Sequence, residues 1–155
     1  MDLRKCMIKK RYNIKTKCPV CGNSIFTDSV GNADKCNNCG WDHSRLHDEF
    51  PDRVVCPNLI SLNKAKKLYQ EGKPFVPDFN DFIDGFNFYG EMEFVYKGTT
   101  YGLASIENAG IEFWNVNTGE NETFKNIEEF KQKATIQGKL VKNIWNEVEI
   151  VNWLQ

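Results

Sequence analysis

The chain has no run approaching about 18 consecutive apolar residues, which excludes a helical membrane span. Its first 17 residues lack the apolar core of a secretory signal and carry charge in its place. Histidine is scarce, at two residues in 155, so general acid–base catalysis has few candidates. HExxH, a phosphate-cradling glycine loop and a Ser/His/Asp set are all missing. Asp78, Asn80, Asp81 and Asp84 crowd together, yet without the alternating ligand spacing of a calcium loop. Neither an internal repeat nor a low-complexity tract is present. These absences lead us to expect a cytoplasmic protein that is not an enzyme and has no membrane partner.

What is there is a composition that buries a core: 41% hydrophobic, 13% aromatic and 26% charged. Eleven Phe, five Tyr and four Trp are candidates for core and contact positions. The net charge of −1 conceals an asymmetry. Residues 1–17 hold Arg4, Lys5, Lys9, Lys10, Arg11, Lys15 and Lys17 against Asp2, a balance of +6, and the remaining 138 residues carry −7. Such an arm is either a solvated terminus or an electrostatic contact to nucleic acid or an acidic partner, through Lys9, Lys10, Arg11, Lys15 and Lys17. The acidic remainder argues against wrapping DNA over a large face.

Four of the six cysteines fall in two copies of one device, Cys18-Pro-Val-Cys21-Gly22 and Cys36-Asn-Asn-Cys39-Gly40. A CxxC-Gly turn lets both thiolates point at one ion, and glycine after the second cysteine permits the positive φ the turn needs. Fourteen residues separate Cys21 from Cys36, enough for a hairpin with its tip near Val30–Ala33. Four thiolates close a tetrahedral sphere, so one structural Zn2+ is expected at Cys18, Cys21, Cys36 and Cys39. Iron in a rubredoxin-like site uses similar spacing. A redox role is disfavoured because thioredoxin-like CxxC sites come singly in a βαβ setting, and disulfides are disfavoured by a reducing compartment. Cys6 and Cys56 read as small buried hydrophobes. His43 and His47 follow the second CxxC closely, but a four-cysteine site needs neither.

The predicted fold class is α+β: an N-terminal four-cysteine zinc ribbon with a docked helix, followed by a small β-β-β-α-α-β domain. Its segments are a basic arm (1–17), the ribbon plus helix (18–74), an aromatic and acidic linker packed against something (75–90), and the α+β domain (91–155). Cys6, Ile8, Tyr12 and Ile14 read as a short strand entering the ribbon. Ser61 is a fit N-cap for a helix that presents Leu62, Ala65, Leu68 and Tyr69 on one face and ends at Gly72. Lys97-Gly98 joins two β-rich runs as a tight hairpin, and a third run covers Ile111–Val116. Asn126 with Glu129 starts a helix through Ala134; Leu140, Val141, Ile144 and Trp145 recur at helical spacing; Val148–Trp153 alternates as a strand.

From Cys18 to Pro74 the sequence resembles the bacterial cysteine-rich CPCC-type zinc-ribbon family. The matching residues are Cys18–Gly22, then Cys36-Asn-Asn-Cys-Gly-Trp-Asp42, then Ser61–Tyr69 ahead of Gly72. The chain departs at Val20, where the family commonly has a third cysteine, but the CxxC pair is intact. The resemblance implies a small non-catalytic protein from a toxin–immunity or mobile-element setting. Glu93–Tyr101 and Gly138–Val148 are similar to a small α+β domain found in proteins of low-GC Gram-positive bacteria and their phages.

These readings converge on a protein-binding module, for example a toxin-immunity protein or a phage or mobile-element inhibitor of a host or defence enzyme such as a CRISPR effector. Glu107, Glu112, Glu120, Glu122, Glu128 and Glu129 fall within 23 positions and are either an acidic binding patch or an ordinary solvated face. The alternative is a nucleic-acid-associated zinc ribbon that uses the basic arm.

Overall fold

Two short strands frame the first CxxC pair. β1 (Ile14–Lys17) and β2 (Ser24–Thr27) pair antiparallel with Lys17 opposite Ser24, so the first cysteine turn is the loop of this hairpin. The computed structural model describes residues 14–33 and 35–153, the last four by their backbone. The expected strand through Cys6, Ile8 and Tyr12 lies outside the described residues, and its last residue, Ile14, opens β1. The chain divides into two compact units, Met1–Phe75 and Val76–Gln155.

In unit 1 the chain turns after β2 because the Asp28 carboxylate accepts from the Val30 and Asn32 amides at 3.0 and 2.9 Å, with Gly31 at φ +90°. Ala33 then bridges back to Thr27 and donates to the His43 carbonyl at 2.9 Å. A five-residue helix, α1 (Arg45–Glu49), follows the second CxxC pair. It is fastened at its start by His47, whose Nδ1 accepts from the Ser44 amide at 2.8 Å. α2 (Leu62–Gln70) begins as its sequence suggests, with the Ser61 hydroxyl accepting from the Lys64 amide at 3.2 Å. It buries Leu62 and Ala65 against Trp41, Ile60, Ile25 and the two buried cysteines, Cys18 and Cys36.

Unit 2 opens with α3 (Phe79–Tyr89), where a packed linker was expected over 75–90. Asp78 caps it by accepting from the Asn80 and Asp81 amides, and Asp81 answers by accepting from the Asp78 amide at 2.7 Å. This reciprocal cap is written in acidic residues alone, which hid a helix start inside an acidic, aromatic run. Phe82, Ile83 and Phe86 are the buried face.

Four strands follow, β3 (Glu91–Tyr96), β4 (Thr99–Ile106), β5 (Gly110–Asn115) and β6 (Asn121–Phe124), then α4 (Ile127–Lys133). β7 (Thr135–Ile136) and β8 (Lys139–Leu140) make a minimal hairpin, and two 3-10 turns (Val141–Asn143, Trp145–Glu147) lead into β9 (Val148–Trp153). The main sheet is antiparallel throughout in the order β6-β5-β4-β3-β9. The α+β class therefore holds, with three local differences, of which the added β7–β8 hairpin is one. The turn at 117–120 is followed by a fourth strand, β6. After Gly138, Leu140 lies in β8 and Val141 and Trp145 lie in the 3-10 turns, in place of a second α-helix. Gln137 and Gly138, at φ +51° and +76°, close the β7–β8 hairpin, and the residues between it and β9 fold as two successive 3-10 turns. Val141, Ile144 and Trp145 are nevertheless buried, because their spacing serves a 3-10 turn as well.

The core of unit 2 is aromatic. Phe94 stacks on Tyr101 at 5.6 Å between ring centroids and meets Phe82 and Trp145 edge-on at 5.7 and 5.4 Å. Phe130 of α4 closes the far end against Phe113 and Phe124, both at 5.5 Å.

Candidate metal centre

The two cysteine turns share one hydrogen-bonding pattern. In the first, the Cys18 amide donates to the Asn23 carbonyl (2.7 Å) and the Gly22 amide to the Cys18 carbonyl (2.9 Å). In the second, the Cys36 amide donates to the Trp41 carbonyl (2.8 Å) and the Gly40 amide to the Cys36 carbonyl (2.8 Å). Gly22 and Gly40 stand at φ +73° and +78°, the left-handed region in which a Cβ is strained. A Cβ at Gly22 would meet nothing within 4 Å, so conformation rather than space demands glycine there.

These turns bring the four sulfurs to within 4.8 Å of one another, and the Cys18–Cys39 and Cys21–Cys36 Sγ pairs are 3.6 Å apart. A tetrahedron with metal–sulfur bonds of ~2.3 Å has edges of about 3.8 Å, so the cluster fits such an ion. Cys18 and Cys36 are buried, while Cys21 and Cys39 are half-buried. An ion held by all four has no open position, and what it supplies is a cross-link.

Burial pushes the Cys18 and Cys39 thiols up. Burial also opposes ionisation of Cys21, but hydrogen bonds from the Asn38 side chain, the Asn23 amide and the neighbouring thiols outweigh it and pull Cys21 down to about 6. Burial thus opposes ionisation at Cys18 and Cys39, and a cation bound among the four sulfurs would favour the thiolate form. Asn38 also donates to the Tyr69 hydroxyl at 3.2 Å, fastening the second turn to α2. Sequence reading passed over Asn38 because it is merely an interior residue of a CxxC turn; its place between sulfur and helix is a product of the fold.

Neither histidine belongs to the metal-competent group, which among the described residues is the four cysteines alone. His47 is fully buried, receives the Ser44 amide at Nδ1 and donates from Nε2 to the Val55 carbonyl at 3.0 Å. Burial holds its pKa below the ordinary histidine value. His43 stacks on it at 5.9 Å and reaches Asp48 at 3.2 Å. Cys56 is half-buried, and Cys6 lies outside the described residues. Of the basic-arm candidates, Lys15 and Lys17 are exposed on β1, whereas Lys9, Lys10 and Arg11 lie outside the described residues.

Beside the centre, unit 1 has a groove of about 670 Å³. Cys39 and Trp41 of the second turn form one wall, and Tyr69 with Gly72–Phe75 beyond α2 forms the other. Ile60, Leu59 and Pro57 line it further, and Lys35 and Lys73 also border it.

Fold and site together define a small α+β protein whose first unit carries a four-cysteine candidate metal centre. Residues 16–72 match the model of a family described as cysteine-rich CPCC, a span that contains all four cysteines and α2. The chain matches no curated protein and no solved structure. No helix among the described residues is long and apolar enough to cross a membrane.

Proposed function

We propose that this protein is a non-catalytic protein-binding module in which one zinc ion is a structural staple. The observation that carries this reading is the four-sulfur cluster whose member Cys39 is also part of a groove wall. An ion closed off by four thiolates does no chemistry on a substrate, but it sets the position of Trp41, Gly40 and Asn38 along that groove. A concave surface of this size, lined by Trp41, Ile60, Tyr69 and Phe75 together with Lys35, Asn38 and Lys73, suits a partner's side chains. Zinc is favoured over iron by the structural role of closed four-cysteine sites, and concrete forms of the function are toxin immunity or inhibition of a host or defence enzyme.

The reading is tested by native mass spectrometry and by affinity capture with wild type and with Tyr69→Asp/Phe75→Asp. One zinc per chain, and a protein partner retained by wild type but lost by the groove variant at unchanged metal content, support it. Capture that ignores the groove variant overturns it. The alternative, nucleic-acid binding, draws on the exposed Lys15 and Lys17. It requires salt-sensitive retardation of DNA or RNA that Lys15→Gln/Lys17→Gln weakens.

A further inference from the structure

The main sheet of unit 2 has two faces, and its core uses one. Met92, Phe94, Tyr96, Tyr101, Leu103, Ile111 and Phe113 point to the helices and 3-10 turns. By alternation the intervening residues form the other face, and the register arranges them in rows. Glu91 lies opposite Ala104 and Ala104 opposite Glu112; Glu93 lies opposite Gly102 and Gly102 opposite Trp114; Glu149 lies opposite Val95 and Val95 opposite Thr100. Small residues on β4 thus run down the middle, with carboxylates on both flanks.

Two features separate this face from an ordinary solvated one. First, the five strands contain no lysine or arginine, although strand edges commonly use lysine to deter pairing. Among the described residues, Glu91, Glu93, Glu112 and Glu149 have no cation in ion-pair contact. By contrast, Glu128 and Glu129 of α4 are paired with Lys131 and Lys133 at 3.0 and 2.6 Å, and Glu147 reaches Lys97 at 3.9 Å. Second, Trp114 is on this face and only half-buried. A Cβ at Gly102 would lie 2.1 Å from its ring, so the indole rests on bare β4 backbone. Glycine here lays a tryptophan against the sheet, between Glu112 and Glu93.

We propose that this face is a docking surface for a basic segment of a partner protein. An arginine or lysine of that segment stacks on Trp114, and its neighbours pair with Glu93 and Glu112. A half-buried tryptophan supplies the anchor, and the unpaired carboxylates supply steering and the choice of partner. The proposal rests on the binding-module reading and adds to it a second surface and the charge of what it meets.

The test uses the full chain loaded with zinc and a fluorescent nonapeptide of alternating arginine and glycine, read by anisotropy at two salt concentrations. Glu93→Gln/Glu112→Gln should weaken binding about tenfold or more with thermal unfolding unchanged, and Trp114→Leu several-fold with the variant still folded at the assay temperature. Glu120→Gln/Glu128→Gln removes the same charge elsewhere and should change binding less than about twofold. Equal losses in the two double variants, or no binding by wild type, overturn the proposal. The Tyr69→Asp/Phe75→Asp variant separates the two ideas. If it still binds the peptide while captured partners ignore it, the face stands and the groove falls; if wild type and Glu93→Gln/Glu112→Gln retain a captured partner alike, the face falls alone.

Discussion

Among the described residues, the principal core cluster of unit 1 holds eight buried residues, two of which are cysteines of the candidate metal centre; that of unit 2 holds seventeen, nine of them aromatic. Both units are near the size at which a single core barely offsets conformational entropy. Unit 2 meets that requirement by interlocking rings across a five-stranded sheet. Among its described residues unit 1 has two short strands, a short helix and a longer one, and its turns converge on sulfur. On the proposed function, the difference teaches that an ion held by four side chains would stand in for a layer of core, at the cost of dependence on a dissociable ion and on pH.

The largest expected effect breaks this comparison outright. Removing the ion with a chelator, or substituting Cys18→Ser/Cys36→Ser, should unfold unit 1 and leave unit 2 folded. A structural zinc binds with an apparent ~10–16 kcal/mol near pH 7, as much as a whole domain's stability. Amide NMR spectra should lose dispersion for β1 through α2 and keep it for β3 through β6. Conversely, Phe94→Ala should lower the stability of unit 2 by about 3–5 kcal/mol and leave metal content unchanged, as followed by denaturant unfolding with metal analysis.

Acid sharpens the contrast further. Both histidines lie in unit 1, and burial depresses the pKa of His47. A group whose folded pKa lies below its unfolded value near 6.5 favours folding only while neutral. The stability of unit 1 should therefore fall as pH drops below about 6.5 toward the lower folded value. Competition of protons for the thiolates acts in the same direction. Thermal unfolding monitored separately for each unit at pH of about 7.5 and about 5.5 should move the unit 1 transition more. The smallest effects come from the helix caps. Ser61→Ala and Asp78→Ala should each cost about 1 kcal/mol, the first in unit 1 and the second in unit 2. If either shifted both transitions equally, the units would be one cooperative block.

Legibility followed the range of the interaction that decides each element. The cysteine turns, α2 and the Lys97-Gly98 hairpin depend on residues a few positions apart, and Lys97 and Gly98 take the positive φ that such a turn requires. α3 escaped because its cap is acidic and its buried face is aromatic, a pattern equally suited to a packed linker. Within the acidic cluster the fold distinguishes members that sequence cannot: Glu128 and Glu129 pair with lysines one turn along α4, and Glu112 is on the open sheet face.

By itself the sequence determined which four side chains could hold an ion, because thiol chemistry and CxxC-Gly spacing are local properties. It also determined that the chain is α+β, since helical and strand periodicities are local too. Only the tertiary structure decided that Asn38 joins a sulfur to α2, that Cys39 is part of a groove wall, and that Trp114 rests on Gly102 among unpaired glutamates. Those facts depend on which distant segments meet, and burial and strand register choose that for the chain as a whole.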